Sequence, residues 1–366
     1  MITLSAAAET KIGHLGLAAA TAAGYLATLI GMPLPWMIGP LLLAVLMGVG
    51  EVQVPRHRHY RPVGQLIVAT AVGLYFTPQA LTETINNAWF MVGAAVLTIA
   101  AGIVTAIMLR KLAQCDGTVA FFAAMPGGPA EMSVLAERWG ADPAPVVFSQ
   151  TLRIVFIVLF IPPLLMMAGV YSIPLLRPAL DIDPACLAAL YGLAAAGTFV
   201  FRKVGVPNCN FLGPLAIGAA ISALGFHFSD VPRPLLAAGQ VLLGVSLGAQ
   251  FSRAQIRRDV RFAWAATVTT LALLLLTASV ALGLWLVTDK PFGGYFLATA
   301  PGSVTEMALT AKLLGQGVAL VTAYHLVRIF IVIPLAPLLY RLFRRTRIRH
   351  IDFGDKPRDK TVVPGE

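Results

Sequence analysis

Charge is what this 366-residue chain has least of. Asp, Glu, Lys and Arg make up 12% of it, against about 25% in an average soluble protein. With 58% hydrophobic residues and a mean hydropathy of +0.80, the apolar surface is too large to hide in one soluble core. Cysteine is scarce as well. Cys115, Cys186 and Cys209 stand far apart and make neither a zinc motif nor a disulfide framework. The six histidines (His14, His57, His59, His227, His325 and His350) show no metal-ligand spacing. His57-Arg58-His59 lies in a basic loop without further ligands. No phosphate-cradling Gly-rich loop precedes a Lys-Ser/Thr pair, so ATP is not an energy source within this chain. No catalytic constellation, metal site or cofactor site is expected. The net charge of +10 comes from short loops and the C-terminus, a placement that suits membrane orientation rather than nucleic-acid binding.

What the chain has in abundance is apolar runs, and they repeat. Residues 31–162 return as 205–337. Gly31-Met32-Pro33 and Gly39-Pro40 recur as Gly205-Val206-Pro207 and Gly213-Pro214 at an offset of 174. After one inserted residue the offset is 175. Gly64-Gln65 then matches Gly239-Gln240, Pro126-Gly127 matches Pro301-Gly302, Glu131-Met132 matches Glu306-Met307, and Arg153-Ile154 matches Arg328-Ile329. Apolar segments lie near 12–30, 36–50, 63–77, 88–109, 118–136 and 144–170, then near 186–201, 210–226, 235–250, 262–287, 293–311 and 317–340. The first has the length of a signal peptide, but its counterpart before the second Gly-x-Pro reads it as a retained span. A duplicated apolar chain is the usual build of a secondary transporter.

The fifth segment of each set is broken, by Met125-Pro126-Gly127-Gly128-Pro129 and by Ala300-Pro301-Gly302-Ser303. Such runs free backbone groups that only a protein interior or water can satisfy. Charge separates a broken crossing helix from a hairpin that dips in and returns. If the segment returns, 21 basic residues face the cytoplasm and 4 (Arg177, Arg233, Lys290, Lys312) face outward, with Arg153 and Arg328 in the membrane. If it crosses, Arg202-Lys203 and the 253–261 cluster move outside, against the positive-inside rule. The expectation is an all-α membrane protein of two inverted repeats. Each has about five transmembrane helices and a Pro/Gly-broken re-entrant segment. The first repeat spans 12–170 and the second 186–340, and a basic cytoplasmic tail covers 341–366. Both termini are cytoplasmic and the membrane is the inner one.

The candidate site follows from the paired features. After each break a half-helix restarts: Gly128-Pro129-Ala130-Glu131 puts Gly at N-cap, Pro at N1 and Glu at N3, and Ser303-Val304-Thr305-Glu306 reads as a capping box. Inverted symmetry would bring both breaks to the midplane, where positive helix ends bind anions. Arg153 and Arg328 sit about ten residues into apolar helices, near mid-bilayer, and need interior partners. Glu131 and Glu306 are the expected ones, either as structural pairs or with the arginines holding an anion and the acids a coupling ion. Gln150 and His325 stand three residues before each Arg on the same face. A satisfied interior histidine outweighs a proton carrier there. The solute/ion-binding candidates are Pro126, Gly127, Gly128, Glu131, Gln150, Arg153, Pro301, Gly302, Ser303, Glu306, His325 and Arg328. Gln65 and Gln240 suit helix–helix hydrogen bonds, and Asn208 and Asn210 suit helix capping. The implied partners are the lipid bilayer, a small solute and a coupling ion, and a homo-oligomer is compatible with all of this.

Pro-Trp-Met-Ile-Gly-Pro (35–40), Ala-Met-Pro-Gly-Gly-Pro-Ala-Glu-Met (124–132), Asn-Phe-Leu-Gly-Pro (210–214), Ala-Pro-Gly-Ser-Val-Thr-Glu-Met (300–307) and Tyr324-His325-Leu326-Val327-Arg328 resemble the bacterial AbrB-type integral membrane proteins over about 12–340. The resemblance implies a duplicated membrane protein. It also brings two labels, ammonia monooxygenase and regulator of gene expression, which no residue pattern supports. The paired re-entrant segments are similar in architecture to glutamate/sodium and citrate/sodium symporters. Three functions therefore stand as alternatives: a secondary transporter or exporter of a small anionic organic solute coupled to protons or cations, a membrane sensor acting on transcription through a partner, and a membrane oxygenase.

Overall fold

Proline and glycine punctuate this chain into helices, and the computed structural model shows helices only. It describes residues 6–52, 57–170, 183–226, 229–288 and 290–348. The first repeat contributes α1 (Ala6–Leu29), α2 (Pro35–Val49), α3 (Tyr60–Gly73), α4 (Pro78–Asn86), α5 (Ala88–Ala113), α6 (Gly117–Ala124), α7 (Pro129–Arg138) and α8 (Pro143–Met167). The second contributes α9 (Pro184–Val204), α10 (Cys209–Ala223), α11 (Arg233–Gly248), α12 (Arg253–Arg258), α13 (Val260–Val287), α14 (Phe292–Thr299), α15 (Val304–Leu314) and α16 (Val318–Ile348). Five of these, α5, α8, α9, α13 and α16, are long and apolar enough to cross a membrane. α1, apolar over Leu15–Leu29, and the shorter α2, α3, α10 and α11 complete two sets of five. The short surface helices α4 and α12 escape a search for apolar runs. α16 continues to Ile348, so the start of the expected tail is helical. The rest of the tail, the linker 171–182 and Arg56 lie outside the described residues.

The repeat is legible in backbone geometry. Gly31 and Gly205 both adopt positive φ (69° and 77°), and Leu34 and Asn208 follow at 45° and 51°. The left-handed region comes easily to Gly and tolerably to Asn, but costs a bulky residue such as Leu about 1–2 kcal/mol. Leu34 holds it while 95% buried in the core (5% exposed). Each Pro35/Cys209 helix then begins in the same direction relative to its own repeat.

The two repeats are inverted. α2 runs parallel to α11: Gly244 lies against Met37 O and Leu41, and Gly248 against Leu41 O, Ala44 and Val45. α3 runs parallel to α10: Gly73 lies against Leu215, Gly218 and Ala219, and Ser222 donates to Leu74 O at 2.8 Å. α3 is antiparallel to α11, with Gly64 against Gly239 and Leu243 and Gly239 against Ile67. α2 therefore opposes its mate α10, and α3 opposes its mate α11. Glycines at these crossings let the backbones approach, as small residues do between membrane helices.

Both broken segments are hairpins. At one face, Thr118 at the start of α6 shares a 2.7 Å hydrogen bond with Tyr340 Oη, and Trp139, just past the end of α7, packs on the same Tyr340 ring at 5.0 Å between centroids. In the second repeat, a Cβ on Gly293 at the start of α14 would stand 2.9 Å from Gln316 Oε1, just past the end of α15. Each segment thus leaves by the face it entered. The loops sort accordingly. Arg261 donates to Leu112 O and Gln114 Oε1 (2.8 and 2.7 Å), and Arg253 pairs with Glu51 at 3.7 Å. Those loops share one basic face. Lys290 pairs with Glu83 at 2.7 Å on the other.

The helices form two bundles. α1–α3 pack with α9–α11, and α5–α8 pack with α13–α16. The bundles meet where α3 touches α15 and α16 and where α8 touches α11. An apolar cluster including Leu34, Met37, Phe211, Leu215, Val304 and Tyr324 draws on both bundles and fills the interface.

Candidate functional site: a cavity between the two breaks

Local chemistry sets the geometry of each break. Pro126 interrupts the hydrogen-bond ladder after α6, and its ring lies 2.8 Å from where a Cβ on Gly102 of α5 would stand. Met132 folds back over Gly127, and Met307 over Gly302, in the same way. Gly128 and Ser303 take extended backbone (ψ 150° and 151°) at the N-cap positions of α7 and α15. The helices start where the sequence places them, but the capping box expected at Ser303 is not made, since its side chain forms no cap hydrogen bond. The Glu131 carboxyl instead folds back over Gly128.

The arginines find different partners from those expected. Arg153 donates through Nη1 to Ala124 O and Met125 O (3.2 and 3.3 Å), and through Nη2 to Gly127 O (3.3 Å) and Gln150 Oε1. Arg328 donates to Ala300 O and Gly302 O (both 2.8 Å) and to His325 Nδ1 (2.7 Å). Each guanidinium caps the carbonyl end of its half-helix, α6 or α14, where the macrodipole is negative and carbonyls lack intrahelical donors. Among the described residues no ion pair joins either arginine to Glu131 or Glu306. A break leaves more orphan carbonyls than one carboxylate could replace, and the planar donor fork of Arg meets several at once. Both Nε–H groups are buried without a partner, as is Glu306 Oε2.

Gln150 and His325 complete the two networks. Gln150 Nε2 donates to Phe122 O and Met125 O (2.8 and 2.9 Å). His325 Nε2 lies 2.9 Å from Leu297 O, the counterpart of Phe122 O. A carbonyl only accepts and an arginine only donates, so His325 carries its proton on Nε2 and accepts at Nδ1. Both ring nitrogens are engaged, and the histidine does what a glutamine does in the other repeat. His325→Gln should therefore cost under about 1 kcal/mol, whereas His325→Leu, which strands Leu297 O and one Arg328 donor, should cost about 1–3 kcal/mol. Thermal unfolding in detergent compares the two, and equal melting temperatures for both variants would contradict this role.

The two breaks do meet. A cavity of about 320 Å³ is bordered by Pro126 through Glu131 of the first and by Gly302, Ser303 and Val304 of the second. Arg153, Ile154, Arg328, Ile329 and Ile333 form its flanks, and Arg61, Pro62, Gln65, Asn208, Cys209 and Asn210 its mouth. Of the twelve expected residues, Pro126, Gly127, Gly128, Glu131, Arg153, Gly302, Ser303 and Arg328 border the cavity. Pro301, Glu306, Gln150 and His325 do not. The last two lie behind the arginines and hold them. The mouth opens on the basic face. Sequence reasoning missed it: Asn208 and Asn210 were expected to cap a helix, yet Asn208 makes no cap bond. Its Oδ1 accepts from Gln65 Nε2 at 3.2 Å, and Asn210 Oδ1 accepts from Arg202 at 3.0 Å. The missed signal was divergence between repeat mates. Asn208, Asn210 and Arg61 correspond to Leu34, Trp36 and Leu236, all apolar. Among the described residues no three His, Cys, Asp or Glu side chains gather as a metal site would need.

Fold and site together define a multi-pass, integral membrane protein of two inverted repeats with re-entrant breaks. The chain belongs to the family described as "Transition state regulatory protein AbrB", whose sequence model matches residues 36–344. Its relatives include "Uncharacterized protein YhjN" of Bacillus subtilis (strain 168), 25% identical over 385 aligned positions covering 95% of this chain and 96% of that protein. Another is "Putative regulator AbrB" of Escherichia coli (strain K12), 24% identical over 322 positions covering 87% and 92%. Among solved structures, the sodium proton antiporter MjNhaP1 from Methanocaldococcus jannaschii aligns with 93% of this chain and 100% of its own at 12% identity. Its TM-score of 0.30 is too low to define a common fold.

Proposed function

We propose that this protein is a secondary transporter of a small organic anion, set in the inner membrane with its basic face and both termini in the cytoplasm. One observation carries the reading: two half-helix N-termini and two arginines that have no carboxylate partner among the described residues, from opposite repeats, border a single cavity. The amide ends of α7 and α15 supply partial positive charge. Arg153 and Arg328 bond only neutral oxygens and nitrogen, so their full charges are left for a solute to balance. A charge held this deep costs at least about 3 kcal/mol by insertion scales, and a bound anion offsets that cost. Glu131 and Glu306 are assigned the coupling proton or cation. As repeat mates they occupy unlike settings, Glu131 beside the cavity and Glu306 buried (3% exposed), and inverted repeats exchange settings when access switches sides.

The test is gradient-driven uptake of radiolabelled mono- and dicarboxylates by the purified protein in liposomes, under an imposed proton or sodium gradient. The wild type should accumulate at least one of them. The Arg153→Gln, Arg328→Gln double variant, confirmed as folded, should accumulate none. Absence of uptake for every small anion by the wild type would remove the reading.

A further inference from the structure

We infer that the solute is a small dianion, its second negative group bound at the cavity mouth by Arg61 and the side-chain amides beside it. This rests on the anion reading above and sharpens it. The cavity has two donor poles. The inner pole is made by Arg153 and Arg328, 3% and 5% exposed, each with an unpartnered Nε–H. The outer pole is Arg61, half-buried and bordering the cavity, with no ion pair or hydrogen bond among the described residues.

The amides beside Arg61 are turned to donate. Arg202 can only donate, so Asn210 must offer it the carbonyl oxygen, which leaves the Asn210 N–H groups for the cavity. Gln65 and Asn208 bond each other, and whichever oxygen accepts, the pair keeps a free N–H on that amide. The mouth therefore meets a solute chiefly with donors, the arrangement a second anionic group requires.

Charge and size agree. The lining holds three cations (Arg61, Arg153, Arg328) and one carboxylate (Glu131), a surplus of two positive charges, which a dianion neutralises. A volume of about 320 Å³ lies at the small end of ligand pockets, roughly 300–1,000 Å³. The outer pole is not an echo of the duplication. Of the mouth residues only Gln65 has a like repeat mate, Gln240; the mates of Asn208, Asn210 and Arg61 are Leu34, Trp36 and Leu236, which hold no charge and no donor beyond one indole N–H.

Thermal shift of the purified full-length protein separates the possibilities, because ligands of the native state raise its apparent stability. Acetate and lactate are compared with malonate and succinate at matched ionic strength. The wild type should respond to a dicarboxylate at a midpoint concentration at least ten-fold below that of the monocarboxylates. In Arg61→Gln that ratio should fall toward one, and in Arg61→Lys, which restores the charge, it should recover. Monocarboxylates as effective as dicarboxylates, or a preference that survives Arg61→Gln, would overturn the dianion while leaving the anion site intact. No response to either class would sink the anion reading itself.

Discussion

Arg328→Ala is expected to destabilise the protein by on the order of 5 kcal/mol, because three charge-assisted hydrogen bonds are lost and their buried acceptors stranded at about 1–3 kcal/mol each. The acceptors are Ala300 O, Gly302 O and His325 Nδ1, all on buried residues, and Ala300 and His325 lie behind the cavity wall, where a lost donor is hardest to replace. Against a total stability of about 5–15 kcal/mol typical of folded proteins, the variant should be recovered poorly and melt far below the wild type. Arg153→Ala should behave alike, since its four contacts cap the matching break. Arg328→Gln, with two amide donors, should fold better than Arg328→Ala while losing the charge. Removing Glu131 should not rescue Arg153→Ala, as it would if the two formed an ion pair. Melting of these variants in one detergent checks the set, and an Arg328→Ala protein as stable as the wild type would refute the capping role.

Gly213→Ala is the second large effect. A Cβ there would stand 2.6 Å from Thr198 N, 2.7 Å from Gly197 C and 2.7 Å from Thr198 Cα. All three atoms are backbone of α9, so no side chain can give way and the helices must part. Overpacking of this kind costs about 1–3 kcal/mol, and Gly213→Leu should cost more. The mate Gly39 meets Ala23 and Gly24 backbone in the same way, so Gly39→Ala should match it. Gly93 has open space around its Cβ direction. Gly93→Ala in mid-helix should therefore be neutral or stabilising by up to about 1 kcal/mol. The contrast is read from melting temperatures; an equal response at Gly93 and Gly213 would mean that α9 and α10 do not pack this closely.

What was legible in the sequence was local. The breaks at 125–129 and 300–303 come from Pro and Gly acting on their own backbone, so α7 and α15 start where those residues predict. Inversion was legible because basic residues in many loops vote together. The partners of Arg153 and Arg328 were not. Which orphan carbonyl faces which guanidinium depends on how α8 and α16 pack on their hairpins, and charge complementarity pointed to Glu131 and Glu306 instead. The mouth was hidden for the opposite reason. Asn208, Asn210 and Arg61 lie on helix starts far apart in sequence, where capping and orientation are sufficient local explanations. Only the parallel packing of α3 on α10 brings them together.

Cys209 stands in the wall of the cavity mouth and offers the most direct measurement. With Cys186 replaced by Ala it is the one reactive native thiol expected, because burial pushes the Cys115 thiol up to about 11, which leaves little thiolate near neutral pH. The rate at which a membrane-impermeant thiol reagent modifies Cys209 is measured in inside-out vesicles, with and without saturating small carboxylates. An open cavity that binds anions predicts rapid modification from the cytoplasmic face, slowed several-fold by the bound anion, with no slowing once both Arg153 and Arg328 are changed to Gln. Modification that no anion slows, or a thiol inaccessible from that face, would contradict an anion site between the two breaks.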